Sequence, residues 1–231
     1  MKLRFRCLPE LEDLLPRPQP AAAGLPDWVK AMPAEAESAL LGAKVRTVKQ
    51  CPPFLDAMRH GVLMPLAAEV TVKDGAFSWD SGLPLLEGSR LTRSPLGLHL
   101  PEQLSGAPFG NAEQVAVKFN SFWSIELPEG WAMFFTHPVN REDLPFRTLT
   151  GRVDCDRFAG GMVHFPALWT DPGFEGCLPK GTPVAQAFPV PREALELDFG
   201  TLEGEALAQH QEVQEALAAD PGAYRKRYRS G

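Results

Sequence analysis

The sequence predicts a mainly β protein, with extra strands ahead of its core and one long helix behind it. Three observations carry this. The 23 prolines and 20 glycines of the 231 residues are spread along the chain, which suits frequent turns between short extended segments. Apolar and polar residues alternate in short runs, as in Lys44–Lys49 and Glu69–Lys73. From Leu202 to Leu217 the pattern changes, and apolar residues recur at helical spacing within an Ala/Glu/Gln-rich run.

Residues 1–43 read as an N-terminal extended arm. Pro16, Pro18, Pro20, Pro26 and Pro33 preclude a long helix there, and Trp28 offers apolar surface to anchor the arm on the body or on a partner chain. A strand follows at residues 44–49. Cys51-Pro52-Pro53 then turns into a short helix through Met58, which Gly61 could end. Two further extended runs, Val62–Leu66 and Glu69–Lys73, lead to Asp74-Gly75, a hairpin signal ahead of Ala76–Trp79. Residues 81–112 are turn-rich and irregular. A denser series of strands starts at Val115 and continues through Ile125, Leu127, Trp131, Met133 and Phe135, with Pro128 and Gly130 at a turn. Met162–Trp169 and Val184–Phe188 complete it. The helix is expected at 201–219, stopped by Asp220-Pro221-Gly222, and the basic tail Tyr224–Arg229 follows. The expected division is an arm (1–43), a single β domain (44–200) with its core at about 115–192, and a helix with a basic tail (201–231).

Composition sets limits on function. With 44% hydrophobic and 23% charged residues the chain can bury one sizeable core. A net charge of −6 gives the body no basic field for nucleic acid. The apolar runs are too short to span a bilayer, and Met1–Pro16 lacks the apolar centre of a signal peptide, so a cytoplasmic location is expected, with no membrane partner. Cys7, Cys51, Cys155 and Cys177 form no C-x-x-C pair and read as free thiols. Cys155, between two aspartates, would be a poor thiolate.

The polar residues worth chemistry gather between Ser124 and Pro191. Asp154 and Asp156 alternate at a strand end, where they could do acid–base work or hold a divalent ion with phosphates; capping a turn is the alternative. Asn140-Arg141-Glu142-Asp143 follows a strand, and Arg141 could clamp a phosphate or pair with a neighbouring carboxylate. His137 and His164 with Asp154 could form a two-His, one-carboxylate iron site, or be ordinary core or surface histidines, so no metal ligands are assigned. Trp123, Trp131 and Trp169 could stack on a base or fill the core, and the basic tail could touch nucleic acid or be solvated.

Gly151-Arg152-Val153-Asp154-Cys155-Asp156 resembles the G-x-I/V-D-x-D segment of deoxyuridine triphosphatases (dUTPases) and the related deoxycytidine triphosphate deaminases. Lys180-Gly181-Thr182-Pro183-Val184-Ala185-Gln186 resembles their K-G-D-x-I/V-A-Q turn, and Leu127-Pro128-Glu129-Gly130 their L-P-x-G turn. The resemblance covers about 65 residues and implies a dUTPase-like β-clip core, often assembled as trimers. It implies that Asp154 positions a water or a deoxyribose as the catalytic residue, with Asn140, Arg141, Asp156 and Gln186 around the substrate. Departures are visible. Arg157 stands where the family has its aromatic residue, with Phe158 one place later. Thr182 replaces Asp in the K-G-D turn, Asn140-Arg141 stands where the family has P-R-S, and a helix with a basic tail takes the place of the Gly-rich arm. A second resemblance is to an uncharacterised family of tailed phages and bacteria. It is carried by Cys51–Met58, Lys118-Phe119-Asn120 with Trp123, Asn140-Arg141 with Pro145-Phe146, Val153–Asp156 and Gly181–Gln186, and implies no reaction.

Two functional expectations follow. One is a nucleotide-binding or nucleotide-hydrolysing protein, with the cofactor unassigned and a divalent metal such as magnesium open. The other is a non-enzymatic structural or interaction protein on the same scaffold. A metal-dependent oxygenase is a distant third. A homo-oligomer is expected in either case, since a small Trp-rich β core often completes itself across subunits.

Overall fold

The computed structural model describes residues 1–80, 82–84, 92–109, 115–220 and 222–229. It divides into two compact units, Met1–Arg192 and Glu193–Gly231.

The first unit starts with β1 (Arg4–Arg6), β2 (Gln19–Pro20), α1 (Asp27–Ala31), β3 (Glu35–Ser38), β4 (Ala43–Arg46) and α2 (Pro52–Arg59). It continues with β5 (Val62–Pro65), β6 (Val70–Lys73), β7 (Ala76–Ser78) and β8 (Leu96–His99). The longer strands follow: β9 (Ala116–Glu126), β10 (Trp131–Thr136), β11 (Phe146–Thr148), β12 (Gly151–Val153), β13 (Met162–Trp169), β14 (Gly176–Leu178) and β15 (Pro183–Pro191). The protein is therefore mainly β, with strands added ahead of the core, as its alternating runs predict.

Two five-stranded antiparallel sheets build the body. The first runs β1-β9-β13-β11, with β8 also on β9; the second runs β12-β10-β15-β5-β2. A three-stranded sheet, β14-β6-β7, and the β3-β4 hairpin are separate. The Pro128–Gly130 turn takes the chain from the first sheet to the second. Phe119, Phe146 and Phe165 of the first sheet share one buried cluster with Met64, Met133 and Phe135 of the second. Phe119 and Phe146 meet at 4.6 Å between ring centroids, and Phe135 and Phe165 at 5.2 Å. Offset and tilted aromatic pairs at these spacings add to the area they bury.

The local signals behave as their chemistry requires. Asp74 and Gly75 both take positive φ, as a two-residue hairpin turn needs, and Lys73 lies opposite Ala76. Pro52 and Pro53 open α2, where no amide partner is lost. Gly61 follows α2 at φ +77, and a Cβ there would lie 2.2 Å from the Ala187 carbonyl oxygen, so the chain's approach to β15 requires glycine. The first twenty residues run onto the body: β1 pairs with β9, β2 with β5, and Leu11 and Leu15 enter the core. The irregular stretch 81–112 contains β8, whose Leu96 and Leu98 lie opposite Phe119 and Val117; residues 81, 85–91 and 110–112 of it lie outside the described residues.

β9 carries a large irregularity. Asn120 pairs with His164 and Ser124 with Met162, so Ser121, Phe122 and Trp123 all stand opposite Val163. Phe122 sits at φ +59, a conformation that bulky side chains rarely take. The Ser121 hydroxyl donates to the Val163 carbonyl at 2.8 Å and accepts the Trp123 amide at 3.2 Å, replacing the lost ladder bonds.

In the second unit, α3 (Gly204–Ala219) matches the helix predicted from the final apolar spacing. Lys226 reaches Asp220 at 2.7 Å beyond its end; Pro221 of the predicted stop lies outside the described residues. No helix among the described residues is long and apolar enough to cross a membrane.

Candidate functional site

The predicted site residues occupy two ends of one strand. Met133 of β10 pairs with Val153, so the turn after β12 lies near the start of β10. Thr136, at the other end of β10, pairs with Gln186, and the Pro138–Asp143 loop follows there. The six residues of β10 put five steps between the ends, or about 17 Å at roughly 3.3 Å per residue. Asp154 and Asp156 are thus at one end, and Asn140, Arg141 and Gln186 at the other.

At the first end the chain turns sharply, with the Asp154 carbonyl accepting both the Arg157 and Phe158 amides at 2.9 Å. The Asp154 side chain is 37% exposed and has Arg152 at 3.7 Å. Its Oδ1 atom is shielded and accepts no hydrogen bond. Asp156 is different: its side chain is 3% exposed. Its Oδ2 accepts the Gly130 amide at 2.9 Å and the Arg192 guanidinium, and the Arg192 amide returns to the Gly130 carbonyl at 2.8 Å. Burial pushes the Asp156 carboxyl up, but the Arg192 hydrogen bond, the Gly130 amide and the Arg192 charge outweigh it and hold it below the ordinary value. Asp156 therefore ties the sheet-changing turn to the end of β15. Between the aspartates, Cys155 is fully buried, and burial, with the two carboxylates adding, pushes its thiol up to about 11.

At the second end Arg141 is largely buried, with 13% of its side chain exposed. It grips Asp143 bidentately, Nε to Oδ1 at 2.8 Å and an Nη to Oδ2 at 2.9 Å. Trp28 of α1 donates its indole N–H to the same carboxylate at 3.3 Å. Asn140, at φ +58, is exposed beside a groove of about 600 Å³ whose walls include Trp28, Met32 and Phe54. Gln186 is 1% exposed. Its Oε1 accepts the Val139 amide at 2.9 Å, and its Nε2 donates to the Ala57 and His60 carbonyls at 2.9 and 2.7 Å. One carboxamide thus latches β15, the 138–143 loop and α2 together.

His137 completes this end. Its Nε2 donates to the Arg141 carbonyl at 2.8 Å and its Nδ1 accepts the Thr148 amide at 3.2 Å, an arrangement only the neutral ring can make. Burial lowers its pKa, against the Arg141 carbonyl's opposing pull. His164 lies in β13 opposite Asn120. No group of three or more His, Cys, Asp or Glu among the described residues could hold a metal ion.

Sequence reasoning named Asp143 as one partner open to Arg141, and their two-residue spacing was the signal. It missed Arg192 as the partner of Asp156, because nothing in Pro189-Val190-Pro191-Arg192 shows that the end of β15 returns to Gly130.

No family model matches the chain, and no curated protein does. Among solved structures, a mutant dUTPase of Staphylococcus bacteriophage 80alpha with dUpNHpp is 12% identical over 88% of this chain and 99% of that one, at a TM-score of 0.39. A second mutant of that phage enzyme is 13% identical over 88% and 98%, at 0.38. A mutant dUTPase of phage phi11 of S. aureus is 16% identical over 38% of this chain and 72% of that one, at 0.30. These are proteins of the family that the Val153–Asp156 and Gly181–Gln186 segments resemble.

Proposed function

We propose that this chain is a non-enzymatic structural or interaction protein on a β scaffold. The observation that supports the reading is where its polar groups are committed. Arg141 is closed on Asp143, Asp156 on Gly130 and Arg192, and Gln186 on three backbone groups, all within the fold. A reaction centre needs its acid, base and charge-bearing groups within hydrogen-bond reach of one substrate atom, and β10 holds Asp154 and Arg141 apart. The test is turnover. The protein is incubated with each deoxynucleoside triphosphate, dUTP included, with magnesium, and phosphate and pyrophosphate are followed. Release should stay at the blank rate; release that Asp154→Asn abolishes would overturn the reading.

A second reading has one observation in its favour. The Asp154 side chain is 37% exposed, with Arg152 3.7 Å away on its shielded oxygen, so its open face could take a deoxyribose hydroxyl or a metal-bound water. On that reading Asp154 contacts a bound nucleotide, and Asp154→Asn lowers its affinity.

Self-association and a cytoplasmic location belong to the same proposal. Phe134 of β10 is exposed and lies opposite Phe188 of β15, an apolar pair on the outer side of the second sheet. Light scattering should give more than one chain per particle, and a monomer mass at all concentrations would remove the oligomer. The four unbridged cysteines suit a reducing compartment.

A further inference from the structure

We propose that the groove beside β1 binds a short phosphate chain, such as a di- or triphosphate group. None of its walls comes from the 154–158 turn or the 138–143 loop, so the proposal is independent of what Asp154 does. The groove holds about 570 Å³, the size of a small-molecule site.

Its charge is the first argument. Lys2, Arg4 and Arg6 alternate along the strand direction and all line the groove, with Arg17 from the following segment. Side chains two residues apart along an extended chain share a face, so Lys2 and the two β1 arginines form a row about 13 Å long. The internal acids do not balance them. Glu126 serves both Arg4, at 3.2 Å, and Arg6, at 2.8 Å, and Glu12 lies 3.9 Å from Arg17. Four cations thus face two carboxylates in a chain of net charge −6. A linear anion with several oxygens per unit fits such a row, since each guanidinium can take two of them. The acidic remainder of the protein disfavours a long polyanion running past the groove.

Its construction is the second argument. The groove wall includes Trp123, the residue that the β9 irregularity re-aims. The indole N–H is pinned to the Pro16 carbonyl at 3.1 Å, which fixes the segment carrying Arg17 against the sheet. Phe122 takes its left-handed backbone next to this position. Strained residues and bulges concentrate where a strand must present a side chain in a set place.

The test is calorimetric titration of the full chain with inorganic tripolyphosphate at low salt. One equivalent should bind, and binding should weaken as sodium chloride is raised. The Lys2→Gln/Arg17→Gln variant removes two exposed cations and should bind about tenfold more weakly, whereas Arg17→Lys should stay within about threefold of the wild type. Glu12→Gln, which removes the acid in the groove, should tighten binding. Saturating tripolyphosphate should also slow the reaction of the groove residue Cys7 with a thiol reagent and leave Cys51 unaffected. No binding at about 5 mM, well past the millimolar end of the affinity scale, overturns the proposal. So does a double variant that binds as well as the wild type, or a single-stranded oligonucleotide that binds more tightly than tripolyphosphate.

Discussion

Replacing Gln186 by Leu separates a structural latch from a ligand contact. The side chain is fully enclosed and makes three hydrogen bonds, one accepted and two donated. Leu keeps much of the volume and removes all three. A buried group left without its partner costs about 1–3 kcal/mol. The Val139 amide would bear that cost in full. Ala57 and His60 are exposed residues, so water can reach their carbonyls and reduce their share. The sum is about 3 kcal/mol, and for a unit of this size each kcal/mol moves the Tm by about 2–4 °C, so the loss should be about 6–12 °C. Urea unfolding followed by tryptophan fluorescence, with calorimetry for the Tm, measures both. Gln186→Glu should be at least as damaging, because a carboxylate would face two carbonyl oxygens in place of donating to them. A Leu variant within about 0.5 kcal/mol of the wild type, the range of ordinary surface changes, would refute the latch.

Three further predictions concern titration and reactivity. His137 is held neutral, so the unfolded chain takes up its proton first; stability is complete above about pH 6.5 and should fall as pH drops below it. His164, lowered by burial and by Lys118, adds to the same window, so urea titrations between pH 7.5 and 5 should show a smaller decline in His137→Asn but not none. Asp156 has a depressed pKa, so its contribution is present above the ordinary carboxylate range and is lost as pH falls through its folded value. Asp156→Asn should therefore be less stable than wild type at pH 7 and converge with it in acid. With a thiol reagent on the native protein, the exposed Cys51 should react first. Cys177, raised by burial and by its Glu69 hydrogen bond, should lag, and Cys155 should react only on unfolding; rapid modification of Cys155 would contradict its burial.

What could be read in the sequence was local. The Asp74-Gly75 hairpin, the Pro52-Pro53 helix start, the strand Met162–Trp169 and α3 each announce themselves within sixteen residues or fewer. What could not be read was non-local. Arg4–Arg6 is too short to show a period, and its strand character comes from β9, some 120 residues away. The irregularity at Ser121–Trp123 is invisible because Phe122 looks like any apolar strand residue. For the site, only twelve residues lie between Arg141 and Asp154, which suggests neighbours, yet most of β10 stands between them. Asp156 and Gln186 stand out in the sequence, and the partners that occupy them come from segments that no motif connects to them.

The pairing of β1 with β9 also governs how the chain can be made. During synthesis residues 4–6 leave the ribosome about 120 residues ahead of residues 124–126. At about 5–20 residues per second that interval is roughly 6–24 s. Throughout it the nascent β1 has no partner strand and is open to wrong ones. Arg4 and Arg6 flank its single phenylalanine, and charges of one sign along an edge discourage pairing with another copy of itself. The same row of cations therefore keeps the newborn chain apart from its neighbours until Glu126 arrives to receive it.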